Sequence, residues 1–139
     1  MKEPALPLQE AVVTALRSNT AVDALVAKRV YDFVPGTEPG NTAKFPCISF
    51  GESSSRPYEE SDCIDSTEHS FTIYCWSRTA GYPECKRMAA AVRAALHDAD
   101  LTVTGFSLAL MQWESTDFRR DDDGSNVAAL SFRALLDPV

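Results

Sequence analysis

The stretch His69-Ser70-Phe71-Thr72-Ile73-Tyr74-Cys75-Trp76-Ser77 is followed, after a short turn, by Pro83-Glu84-Cys85-Lys86-Arg87-Met88-Ala89-Ala90-Ala91-Val92-Arg93-Ala94-Ala95-Leu96, and together they decide how the chain is read. In the first segment Phe71, Ile73 and Cys75 alternate with Thr72, Tyr74 and Trp76. That enrichment in β-branched and aromatic residues suits a pleated, packed surface and predicts a strand over 69–77. In the second segment Cys85, Met88, Ala89, Val92, Ala95 and Leu96 recur every three or four residues, with Lys86, Arg87 and Arg93 between them. The spacing predicts a helix over 84–98 that lies back on a sheet. Pro83 suits its first turn, where the missing N–H has no intrahelical partner in any case. No residue of this unit has the character of a catalyst.

Outward from this unit, Leu8, Val12, Ala15 and Leu16 share one face of a helix over 6–18, and a short helix over 21–27 follows with Thr20 as its expected N-cap. The chain is extended over 29–34, then passes through Pro35-Gly36-Thr37-Glu38-Pro39-Gly40-Asn41, which excludes a regular element. A strand is expected over 45–52, and the Ser-, Asp- and Glu-rich run 53–67 reads as a long mobile loop. Beyond the helix, strands over 106–118 and 127–137 are joined across 119–126, with Asp123-Gly124 at a turn tip. The order helix, helix, strand, strand, helix, strand, strand predicts one α+β domain over 1–139, with a four-stranded, largely antiparallel sheet and helices on one face.

A sheet covered on one face should alternate cleanly between apolar and polar positions. Here Phe71 and Ile73 are opposed by Tyr74 and Trp76; Phe106, Leu108 and Leu110 by Ala109, Met111 and Trp113; Leu130, Phe132 and Leu136 by Val127, Ala129 and Leu135. The expectation is that a second subunit covers the other face, since monomers rarely expose large apolar patches. The alternative is that curled strands and long loops cover it.

Of the 139 residues, 20 are acidic and 13 basic, for a net charge of −7. This argues against a protein that grips nucleic acid, because such affinity rests on Lys and Arg displacing condensed counterions. At the basic pair Arg119-Arg120, three aspartates follow at once. Met1-Lys2-Glu3-Pro4 does not open a secretory signal and no run has the length of a membrane span, so a cytoplasmic chain is expected. Of Cys47, Cys63, Cys75 and Cys85, none forms a C-x-x-C pair; three read as buried apolar residues and Cys63, in a polar run, as exposed. If Gly124 held the glycine position of a calcium loop, Arg119 would be the first ligand and Leu130 the last, so the register fails and a solvated hairpin tip is the better reading. His69 and His97 match no ligand spacing with Cys63 and Cys85. There is no G-x-S-x-G elbow and no phosphate-binding glycine loop, and Glu59, Glu60, Asp62 and Asp65 read as solvated carboxylates. No catalytic, metal or cofactor site is assigned, and the chain is not expected to be an enzyme.

The chain resembles the tail-completion, or tail-terminator, proteins of tailed phages and phage-derived gene transfer agents. The residues that carry this are the opening helix Leu8-Gln9-Glu10-Ala11-Val12-Val13-Thr14-Ala15-Leu16, the segment Arg29-Val30-Tyr31-Asp32 followed by Pro35, and the strand start Phe45-Pro46. To these are added Ile73-Tyr74-Cys75-Trp76-Ser77-Arg78, then Ala89-Ala90-Ala91-Val92-Arg93-Ala94-Ala95-Leu96-His97-Asp98, and Leu130-Ser131-Phe132-Arg133-Ala134-Leu135. The resemblance implies a non-enzymatic assembly protein of the virion tail or neck, assembled in the bacterial cytoplasm. It implies a ring, usually a hexamer, that caps the tail tube protein and joins it to the head-side connector or stopper, while DNA passes through the lumen without specific binding. The residues expected at interfaces are Tyr58, Glu59 and Glu60, then Tyr74, Trp76, Met111 and Trp113 on the second sheet face, and Arg119, Arg120, Asp121, Asp122 and Asp123 at the hairpin tip. The competing class is a stand-alone cytoplasmic α+β binding or regulatory protein without catalytic activity.

Overall fold

A computed structural model describes residues 3–32, 44–59 and 65–139. Helices α1 (Ala5–Ser18) and α2 (Thr20–Val26) precede strands β1 (Val30–Tyr31), β2 (Cys47–Pro57) and β3 (Thr67–Ser77); α3 (Pro83–Leu96), β4 (Phe106–Arg120) and β5 (Asn126–Pro138) follow. The strands form one sheet in the order β1-β2-β3-β5-β4. The pairings β2–β3, β3–β5 and β5–β4 are antiparallel, and the short β1 lies parallel to β2. The α+β architecture is as expected, with β1 as a fifth strand drawn from the extended segment after α2. Phe33, Val34, the Pro/Gly run and residues 60–64, with Glu60 and Cys63 among them, lie outside the described residues.

The three helices pack on one face because each presents an apolar stripe: Leu8, Val12 and Leu16 on α1, Val22 and Val26 on α2, and Cys85, Met88, Ala89, Val92 and Leu96 on α3 are all buried. Beneath them Phe50, Phe71 and Phe132 stack across three neighbouring strands, with centroids 5.3 and 5.4 Å apart. Helix α2 is capped by Asn19, whose Oδ1 accepts from the Val22 N–H at 3.0 Å, so the cap falls one residue before the expected Thr20. Cys47, Cys75 and Cys85 are buried free thiols, as expected. Burial pushes Cys47 and Cys85 up to about 11, which makes them poor nucleophiles.

Two expectations are corrected. First, Ser53–Pro57 belongs to β2, where Ser53, Ser54, Ser55, Arg56 and Pro57 pair with Phe71, Ser70, His69, Glu68 and Thr67. Both sides of this stretch are exposed, so its polar composition looks like that of a loop. Second, Met111 and Trp113 do not share a face with Tyr74 and Trp76. The register of β4 on β5 slips between Leu108 and Leu110 and again between Trp113 and Ser115, and each bulge adds one residue and reverses the alternation. Met111 and Trp113 therefore sit opposite Ala134 and Phe132 on the helix-covered side, where Met111 is buried. The outer face is consequently more polar than the plain alternation predicted. Its middle carries Ser70, Thr72, Ser131 and Arg133, and its apolar groups gather at Tyr74 and Trp76 near one end and at the cross-strand pair Leu110–Leu135 near the other.

A third bulge, at Gly51-Glu52 on β2, faces Thr72; Thr72 pairs with Ser131, and Ser131 lies beside the β4 bulge at Glu114. Two bulges thus fall in one row across the sheet and bend it there. A shallow recess on the outer face follows this row, with Glu52 and Glu114 at its ends and hydroxyls between them.

Candidate assembly surfaces

The β4–β5 hairpin closes through Asp121 N–H to Ser125 O at 2.8 Å and Gly124 N–H to Asp121 O at 3.0 Å, with Gly124 at φ +88°, a region open to glycine. Asp123 accepts from the Ser125 N–H at 2.9 Å, and this bond, first among several, holds its carboxyl below the usual range. Arg119 reaches Asp121 at 3.2 Å, and Arg78, beyond β3, reaches Asp123 at 3.5 Å. Beneath the tip, buried Asn126 donates to Thr79 O and Gly81 O at 2.9 and 2.6 Å and accepts from Arg120 Nε at 2.9 Å. The tip is thereby fastened to the turn that leads into α3. Of the three aspartates, Asp122 alone makes no ion pair among the described residues.

At the opposite end of the sheet, Glu68 is almost fully buried between Arg56, at 2.6 Å, and Arg133, at 3.3 Å. Hydrogen bonds from Arg56 and then Arg133 hold its carboxyl below the usual range. The Arg133 guanidinium lies 5.8 Å from the Tyr58 ring, and Glu59 completes the rim of this recess. Tyr58 and Glu59 are thus brought beside a charged cluster that the sequence reading missed. Its signal was the opposite charge at the cross-strand partners Arg56 and Glu68, hidden by reading 53–67 as a loop.

On the outer face Tyr74 and Trp76 tilt against each other at 5.8 Å. The Trp76 Nε1–H donates to Ser49 Oγ at 2.9 Å and the Tyr74 hydroxyl to Glu52. Both rings are half-buried, and the cross-strand partners of Trp76, Cys47 and Val127, are fully buried. Trp113, on the opposite face, is covered by Arg93 of α3 at 3.6 Å from its centroid, and its backbone N–H donates to His97 Nδ1 at 3.1 Å. The predicted interface set is therefore split between the two ends and the two faces of the sheet.

One constellation has the residue types of hydrolytic chemistry. Ser55 Oγ lies 2.6 Å from His69 Nδ1 and donates to Glu3 Oε1 at 2.9 Å. With its single proton committed to Glu3, the hydroxyl accepts from Nδ1–H, and Nε2 is left as a bare acceptor. Nδ1 thus holds a proton toward the serine instead of accepting one from it, and Nε2 is buried without a hydrogen-bond partner. The arrangement pins the start of α1 to the sheet rather than activating the serine. Among the described residues no three His, Cys, Asp or Glu side chains converge as a metal site, and no helix is long and apolar enough to cross a membrane.

The sequence pattern of the family described as tail completion protein gp17 matches residues 10–137. The chain belongs to this tail completion family. It is similar to a chain in the virion of a native gene transfer agent particle, with 28% identity, a TM-score of 0.83, and 98% of each chain covered. No protein of curated function matches it. Membership makes it a structural protein of phage-like tails, whose surfaces meet other structural proteins. The two ends of the sheet of this tail completion protein each carry exposed charge.

Proposed function

We propose that this protein forms a ring, hexameric as the resemblance implies, that ends the tail tube and joins it to the head-side connector. The observation that carries this reading is the family match, which spans β1 to β5 and all but the start of α1. The likeness to a virion chain over nearly its whole length supports it. The role is one of assembly without catalysis, in keeping with a Ser55–His69 contact in which the hydroxyl proton goes to Glu3 and not to the imidazole. DNA passes through the lumen without being gripped; a net charge of −7 per copy repels phosphate. The tip residues 119–123, the recess at Tyr58 and Glu59, and the Tyr74–Trp76 patch are the contact regions of this proposal.

The test is to mix purified protein with isolated tail tubes and to image the tube ends while measuring the mass of the bound species. A closed ring at one tube end, together with unjoined heads and tails in particles lacking the protein, is the expected outcome. A chain that never binds tube ends, or particles that join normally without it, would refute the proposal.

A further inference from the structure

Strand β4 is last in the sheet. Its outward edge is occupied midway, where Asp98 N–H bonds to Met111 O at 2.9 Å and Trp113 N–H to His97 Nδ1 at 3.1 Å, and from Thr116 to Arg120 it has no partner strand among the described residues. The geometry of its final part fixes which groups that edge offers. Because Asp121 N–H bonds to Ser125 O, the pair 121–125 is hydrogen-bonded, and the alternation along an antiparallel ladder makes 119–127 and 117–129 hydrogen-bonded as well. The backbone groups of Asp117 and Arg119 therefore point to β5, and those of Thr116, Phe118 and Arg120 point outward.

This outward edge is self-complementary. Set antiparallel to itself about Phe118, it places Thr116 opposite Arg120, Asp117 opposite Arg119, and Phe118 opposite Phe118. The two Asp117–Arg119 positions are then non-hydrogen-bonded pairs, in which side chains come closest. Asp117 is exposed and makes no ion pair among the described residues, and Arg119 is half exposed beside Asp121. Phe118 is 38% exposed, and the other large exposed apolar side chains among the described residues, Leu6 and Val139, lie in a helix and at the last position. On its own side Phe118 meets the Tyr82 ring edge-on at 6.4 Å, with Lys86 5.2 Å from its centroid, so a second phenylalanine extends an aromatic cluster already present.

We infer that the unassembled chain pairs with a second copy of itself through the β4 edges, about a two-fold axis at Phe118, with reciprocal Asp117–Arg119 contacts. A two-fold contact closes on two copies and cannot generate a ring. The pair is therefore a form of the free protein that covers the open end of the β4 edge, a surface otherwise prone to unwanted strand addition. The contact is small beside a standard interface, so the pair forms and separates with concentration. It stands apart from the tail role, and either can fail alone.

The experiment is thiol cross-linking in a Cys63→Ser background, where the remaining described cysteines are buried. Phe118→Cys places each thiol opposite its own counterpart at a Cα separation of about 5.5 Å, within disulfide range. Under mild oxidation it should link into a dimer faster than Ser107→Cys, a substitution at an exposed position of the same strand outside the register. Adding Asp117→Arg turns two opposite-charge pairs into like-charge pairs and should slow linkage roughly tenfold. Adding Arg119→Asp to that variant should restore it. Equal rates for Phe118→Cys and Ser107→Cys, or linkage indifferent to charge reversal, would overturn the inference; circular dichroism checks that each variant is folded.

Discussion

At Gly51 an added Cβ would lie 2.3 Å from Tyr74 Cε2 and 3.0 Å from Thr72 O, so Gly51→Ala must displace the Tyr74 ring from its place beside Trp76 and Glu52. Overpacking of this kind costs about 1–3 kcal/mol, measurable by urea unfolding, and Tyr74→Ala in the same chain should recover part of it. Two buried titratable groups give stability separate signatures in pH. His69 is pushed below its ordinary 6.5, chiefly by burial, so the unfolded chain takes up a proton first and stability falls as pH drops from about 6.5 through the folded value. Glu68 is held below its ordinary 4.5 by Arg56 and Arg133; the stability it contributes is present above that value and lost as pH falls through the folded one. Urea midpoints against pH should lose the upper limb in His69→Phe and the lower limb in Glu68→Gln. If either limb persists unchanged, the corresponding assignment is wrong.

Among the elements, β4 shows where sequence reading stops. The β3–α3 unit was legible because a period of two changed to one of three and four within a few residues, and the helix found its place in that pattern. In β4 plain alternation assigns Met111 and Trp113 to the wrong face, because a bulge shifts the period by one while leaving composition untouched. The second half of β2 was lost for another reason: a strand exposed on both sides needs no apolar residues, and Ser53-Ser54-Ser55 carries no signal to separate it from a loop. For the site, the tip residues were found as a cluster, whereas their fastening by Asn126 depends on contacts with the distant turn at 79–81. Met111→Ala should cost about 2–5 kcal/mol as a core truncation. Asn126→Ala, which leaves two carbonyls without their donor, should cost about 1–3 kcal/mol and loosen the tip. Thermal melts, with hydrogen exchange at 121–125 for the second variant, check both.

For the whole molecule, the separation of faces yields a contrast between two tryptophans. Trp76→Glu alters the outer face and should impair tail joining more than it lowers the melting temperature, whereas Trp113→Glu breaks the packing under Arg93 and should act through stability. At the tip, Asp121 and Asp123 are engaged within the chain, so Asp122→Lys is the cleaner probe of whether that acidic end lines the path of DNA. Fields reach about 8 Å at physiological salt, and a lumenal position should give joined particles with slowed DNA delivery, while normal delivery places it elsewhere. The transverse row of Glu52, Thr72, Ser131 and Glu114 has a mechanical consequence. A ladder of paired strands is stiff where its rungs are regular and compliant where an extra residue interrupts them on both sides of the same rung. Here the β2–β3 and β4–β5 ladders each carry such an extra residue on one line, while the β3–β5 ladder runs through it unbroken, so the sheet bends there about a continuous central pair of strands.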